Sequence, residues 1–155
     1  MKITLKNISY NARLSEETSA FVATIYVDGV KAGEVRNQGH GGSNFYHWVN
    51  KTVENAAEAY VKSLPPVKTD FDSVPELSMD MDLFIGELLE KHLLMKQYKN
   101  WIKKHTRTVY RLKTDETGAF RILNIAYTPE RLQELMGKHG DNLDIVVNKV
   151  VAETA

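Results

Sequence analysis

The sequence predicts an α+β fold, on three observations. Its first third alternates apolar and polar residues around a two-residue hairpin turn. Two later stretches repeat apolar residues at helical spacing. Strands and helices also come in blocks, β-β-β-α-α-β-β-α-α, where a parallel α/β sheet would alternate them.

Taken in order, Ile3, Leu5, Ile8 and Tyr10 suggest an opening strand. Phe21, Ala23, Ile25 and Val27 alternate with Val22, Thr24 and Tyr26, and Asp28-Gly29 then supplies a type I′ turn. The return strand runs from Val30 to about Arg36, and Asn44 to Trp48 reads as one more short strand. Val53, Ala56, Ala57, Tyr60, Val61 and Leu64 mark a helix that Pro65-Pro66 ends. Residues 65–77 hold three of the four prolines and read as a linker, partly mobile, within a single domain spanning 1–155. A long helix follows from about Met79 to Lys104. "TVYRLKTDETGAFRILNI" predicts a second hairpin turning at Asp115 to Gly118. Thr128-Pro129-Glu130 opens the last helical region with a capping hydroxyl, a proline at the first helical position and an acid near the positive end. Gly137 and Gly140 are expected to interrupt that region, and Asp141 to cap a final helix carrying Leu143, Val146, Val147 and Val150.

The 155 residues suffice for one domain with a real core. Twenty Lys and Arg balance twenty Asp and Glu, which argues against a protein that coats nucleic acid or acidic membranes with its whole surface. The absence of cysteine removes disulfides, thiol nucleophiles and zinc-thiolate sites, and fits a reducing cytoplasm. No signal-peptide pattern follows Met1-Lys2, and no run approaches the roughly 20 apolar residues of a membrane helix. The expectation is a cytoplasmic protein without a membrane partner, in the host cytoplasm if a phage encodes it.

Two segments carry the functional question. The first is "NQGHGGSNFYHW", residues 37–48. Gly39, Gly41 and Gly42 could let backbone amides converge on an anion or nucleotide beside His40 and His47. The segment lacks the Lys-Ser or Lys-Thr of a phosphate loop and does not lead straight into a helix. A metal reading of His40 and His47 needs a third ligand that nothing in the sequence identifies, so no metal and no cofactor are expected. The structural alternative is a sharp exit from the hairpin, with His40 hydrogen-bonded at the surface.

The second segment is a charge switch. Asp70 to Glu90 holds seven acids and no Lys or Arg, whereas Lys91 to Lys113 holds eight Lys or Arg and no acid. On a helix, His92, Lys96, Lys99 and Lys103 form one stripe, with Leu94, Met95, Tyr98 and Ile102 on the other side near Trp101. Ile85 and Leu89 occupy the same stripe earlier, which predicts a helix buried in its first half and leaving the core in its second. Lys96, Lys99, Trp101, Lys103, Lys104 and Arg107 are the candidate contacts to a protein partner, or to a phosphate backbone and its bases. The structural alternative is a solvated helix end whose lysines suit the helix dipole.

The acid pairs Asp70 with Asp72, Asp80 with Asp82 and Glu87 with Glu90 lie in no recognisable catalytic spacing, and no G-x-S-x-G or H-E-x-x-H occurs. The expectation is a non-enzyme.

"FVATIYVDGVKAGEVRNQGHGGSNFYHW" with "SLPP", and "HTRTVYRLKTDETGAFRILNIAYTPE" through "HGDNLDIVVNKV", resemble small uncharacterised accessory proteins of bacteriophages and prophages, in which a hairpin precedes a GHGG loop. These stretches cover about half of the chain. The resemblance carries no site residues. It implies an accessory protein that binds a host or defence component, in the way anti-CRISPR inhibitors do.

Overall fold

Asp28 and Gly29 both take positive φ, 48° and 84°, the handedness that lets a two-residue turn follow the twist of its strands. The turn joins β2 (Ala20–Val27) to β3 (Val30–Asn37), with Val27 opposite Val30. β1 (Ile3–Asn11) pairs with β2 and β4 (Phe45–Trp48) with β3, giving an antiparallel sheet in the order β1-β2-β3-β4. Alternation then sorts the side chains. Ile3, Phe21, Ala23, Ile25 and Val35 are buried, while Val22, Glu34, Arg36, Phe45 and His47 stay exposed. The chain is α+β, and the computed structural model describes its residues 1–154.

α1 (Lys51–Lys62) starts where the Asn50 side chain accepts a 2.9 Å bond from the Val53 amide, and it buries Ala57 and Val61. Residues 65–77 contain a small antiparallel ladder, β5 (Val67–Lys68) with β6 (Glu76–Leu77). α2 (Met81–Ile102) is shorter at both ends than its apolar pattern suggests. Asp80 accepts from the Leu83 amide at 2.8 Å and sets the start. At the other end Lys103, Lys104 and His105 all take positive φ, 44°, 54° and 64°, and no right-handed helix continues through such residues.

The chain divides into two compact units, the first ending at Glu90 and the second starting at Lys91. The division falls inside α2 and not in segment 65–77, which belongs to the first unit. The expectation that α2 leaves the core in its second half is overturned. Ile85 and Leu89 are buried in the first half, and Tyr98 and Ile102 are buried in the second. Leu89 and Tyr98 are nine residues apart, about two and a half helical turns. The buried stripe therefore changes side along the helix, and the side it vacates is the lysine side.

In the second unit, β7 (Thr108–Leu112) is the central strand of a three-stranded sheet, flanked by β8 (Arg121–Leu123) and β9 (Leu143–Val146), all antiparallel. α3 (Pro129–His139) begins at Thr128, whose hydroxyl accepts from the Arg131 amide at 3.1 Å. Two expectations fail here. α3 runs through Gly137 and ends at the positive-φ Gly140, so only the second glycine acts as a stop. Leu143 to Val146 is a strand; the final helix, α4 (Val147–Thr154), starts one residue later, and Asp141 lies in a short 3-10 turn. Both readings fit the spacing of the apolar residues, and the free edge of β7, with Tyr110 opposite Val146 and Arg111 opposite Ile145, selects the strand. Tyr98, Ile102, Val109, Val147 and Val151 form one apolar cluster, and Tyr110, Leu112, Leu135 and Val146 another.

Candidate functional site

The Gly-His loop of the first unit is bonded to its own chain. The Gly39 carbonyl accepts from the amides of Glu16, Glu17 and Thr18 at 3.0, 3.1 and 3.4 Å. Three successive amides converging on one oxygen form the kind of concavity that holds anions, and a backbone carbonyl fills it. The Gly39 amide donates to the Asn37 side chain at 2.8 Å, and the Gly41 amide donates to the Thr18 hydroxyl at 3.2 Å. A Cβ on Gly39 would stand 2.1 Å from the Leu14 carbonyl oxygen. The loop thus needs glycine there for close approach.

The same bonds extend into a network of side chains. Thr18 donates to Asn37 at 2.8 Å, and Asn37 donates to Asn44 at 3.0 Å. Asn44 donates to the Tyr46 oxygen at 3.2 Å, and Tyr46 donates to Asp82 at 2.6 Å. Burial, and then the bond to the Asp82 carboxylate, push the Tyr46 phenol well above its ordinary range. A cleft of about 380 Å³ opens beside this network, lined by Glu17, Asp82 and Glu90 among other residues. His40 lies on the surface with Nδ1 3.2 Å from a Glu16 carboxylate oxygen. His47 is exposed on the outer face of β4, with Phe45, while Tyr46 and Trp48 stack 6.1 Å apart on the other face. Among the described residues no three His, Asp or Glu side chains converge as metal ligands.

The basic end of α2 differs in kind. The zero net charge of the chain conceals a division: eight Lys and Arg stand against thirteen Asp and Glu up to Glu90, and twelve against seven from Lys91 onward. The two units therefore carry opposite net charges of five. Within the second unit Arg111 pairs with Asp144 at 2.5 Å, Arg121 with Asp115 at 2.7 Å, Arg131 with Glu134, and Lys149 with Glu153 at 3.8 Å. The Arg121 guanidinium, helped by the Leu112 amide, pushes Asp115 down to about 2. Among the described residues Lys96, Lys99, Lys103, Lys104 and Arg107 have no acidic partner.

Lys96, Lys99, Lys103 and Lys104 are exposed, and Arg107 is half-buried. Lys104 and His105 form the centre of a left-handed turn closed by the Thr106 amide on the Lys103 carbonyl at 3.2 Å. The turn is held from below by Asn148, which is fully buried. Its side chain accepts from the Val109 amide at 2.8 Å, donates to the Arg107 carbonyl at 2.7 Å, and lies 3.3 Å from His105 Nδ1. Beside the turn is a cleft of about 490 Å³, lined by Lys99, Lys103, Lys104 and His105 with Ile102 and Val151. Trp101 lies apart from the lysine stripe, half-buried against Tyr98 and Phe120 with ring centroids 5.7 and 5.0 Å away.

Sequence reasoning missed Asn37, Tyr46 and Asp82 as a network, and Asn148 as the support of the basic turn. The only local signal was an asparagine within an apolar run, and its partners lie 39 and 41 positions earlier in the chain. No helix among the described residues is long and apolar enough to cross a membrane. No family model, no curated protein and no solved structure matches this chain.

Proposed function

We propose that the chain is a phage-type accessory protein that works by binding. Its basic surface, Lys96, Lys99, Lys103, Lys104 and Arg107, seats on an acidic face of a larger host protein and inhibits it, a defence complex of the CRISPR type being the leading target. The observation that carries this reading is the set of five cations without acidic partners on a unit with a net charge of plus five. A cation with no partner in its own chain gives up no internal ion pair when an external carboxylate approaches. The resemblance of two stretches to phage accessory proteins supplies the biological setting.

A nucleic acid is the second reading, favoured by lysines roughly one turn apart along the stripe. Trp101 weighs against base stacking, because its ring is engaged with Tyr98 and Phe120. The test is an electrophoretic titration of single- and double-stranded DNA and RNA at low salt. Under the protein-partner reading no shift occurs. A shift that weakens steeply with salt, and is lost in the Lys96→Gln, Lys99→Gln, Lys103→Gln variant, transfers the assignment to nucleic acid.

A further inference from the structure

The most exposed large apolar side chain among the described residues is Phe71, at 72%. It sits at the tip of the β5–β6 hairpin between Asp70 and Asp72. The tip is tied from several sides. The Thr69 amide donates to the Pro75 carbonyl at 2.9 Å, and its hydroxyl donates to the Val74 carbonyl. The Phe71 amide donates to the Thr69 hydroxyl at 3.3 Å, and the Val74 amide closes the turn on the Phe71 carbonyl at 3.0 Å. An aromatic ring held in water on a tied turn has already lost much of the ordering entropy that binding would demand. Val74 and Leu77 are exposed beside it, and the acids Asp70, Asp72 and Glu76 surround it. Lys68, the one base of the hairpin, lies on β5 opposite Glu76.

A surface of the complementary chemistry exists on the second unit. The 490 Å³ cleft has an apolar floor in Ile102 and Val151 and a cationic rim in Lys99, Lys103 and Lys104. Its volume falls within the range of sites that enclose a side chain or small ligand. We infer that the Asp70-Phe71-Asp72 knuckle of one copy docks in the Lys99–Lys103–Lys104 cleft of a second copy. Two features of the same chain carry this: opposite charge at the two rims, and an exposed ring matched to an apolar floor. Such a contact joins two different surfaces; reciprocated about a two-fold axis it closes a dimer, and unreciprocated it extends from copy to copy. It also covers part of the basic surface assigned above to the partner, which makes self-association a competitor of partner binding.

Sedimentation equilibrium of the full chain tests it. At low salt the weight-average mass should rise with concentration from 17.6 kDa, and at high salt it should return to that value as the rim charges are screened. Phe71→Ala, at an exposed position, should hold the chain at the monomer mass, as should Lys103→Glu with Lys104→Glu. Mixing these two variants should restore a one-to-one complex, because one keeps its cleft and the other its knuckle. A chain that stays monomeric at every concentration overturns the inference, as does association that survives Phe71→Ala or a mixture that does not recombine. A monomer leaves the partner reading standing, since that reading is tested with nucleic acid and with captured protein.

Discussion

The Gly-His loop and the basic end of α2 are both dense in polar groups, and they use them in opposite ways. In the loop, Gly39, Gly41, Thr18, Asn37, Asn44, Tyr46 and Asp82 satisfy one another. At the helix end the backbone is satisfied through Asn148, while the lysine side chains find no acid. Glycines and histidines crowded together draw attention as a site, yet a polar group already bonded within the chain has less to offer a ligand. Ion-pairing capacity is left unused at Lys96, Lys99, Lys103, Lys104 and Arg107.

The largest expected effect is on the support under the basic turn. Asn148→Ala leaves the Val109 amide and the Arg107 carbonyl without their partner in a buried position, and should destabilise the second unit by about 2–4 kcal/mol in urea unfolding. A loss within experimental error would remove Asn148 from its supporting role. Next comes the loop. Gly39→Ala sets a Cβ against the Leu14 carbonyl at a φ of 87°, and should cost more than about 1 kcal/mol of stability. Gly42→Ala, at φ 85° with nothing within 4 Å, should cost less, since only the backbone strain is common to both. Equal losses at the two positions would contradict the close packing of Gly39.

The hairpin at Asp28-Gly29 was legible because its turn chemistry and its alternation are both local. Thr128-Pro129 was legible for the same reason. Leu143 to Val146 was not, because a strand of four residues is decided by the edge it meets, and β7 lies some thirty residues earlier. The second core around Tyr98 and Ile102 was hidden by a helix whose buried side changes along its length. The lysine stripe could be read from spacing alone. Its lack of acidic partners could not, because pairing depends on which side chains the fold brings together. The charge switch at Glu90–Lys91 was legible too; that a boundary between two compact units coincides with it was not.

A titration sharpens the contrast at Tyr46. Burial and the Asp82 bond raise its folded pKa above the ordinary 10.0, so the network contributes stability that is fully present below pH 10 and lost as pH rises through the folded pKa. In an ultraviolet alkaline titration Tyr46 should be the last tyrosine to ionise, behind Tyr127, which burial also raises, and Tyr46→Phe should remove that last step. Ionisation of all seven tyrosines together near their usual value would contradict both the burial of Tyr46 and its bond to Asp82.

The smallest stability effect is expected where the proposed function is concentrated. Changing Lys96, Lys99, Lys103 or Lys104 singly to Gln should alter stability by no more than about 0.5 kcal/mol each, because none has an internal acid to lose. A loss of several times that amount would mean these lysines serve the fold.

The most direct test captures proteins from a bacterial host lysate, at low and moderate salt, on three immobilised forms: the native chain, His40→Ala, and the four-lysine Gln variant. The native chain and His40→Ala should each retain one specific protein, which the lysine variant should not. Retention by the lysine variant, or loss on His40→Ala alone, would contradict the role given to the lysines and return the function to the Gly-His loop.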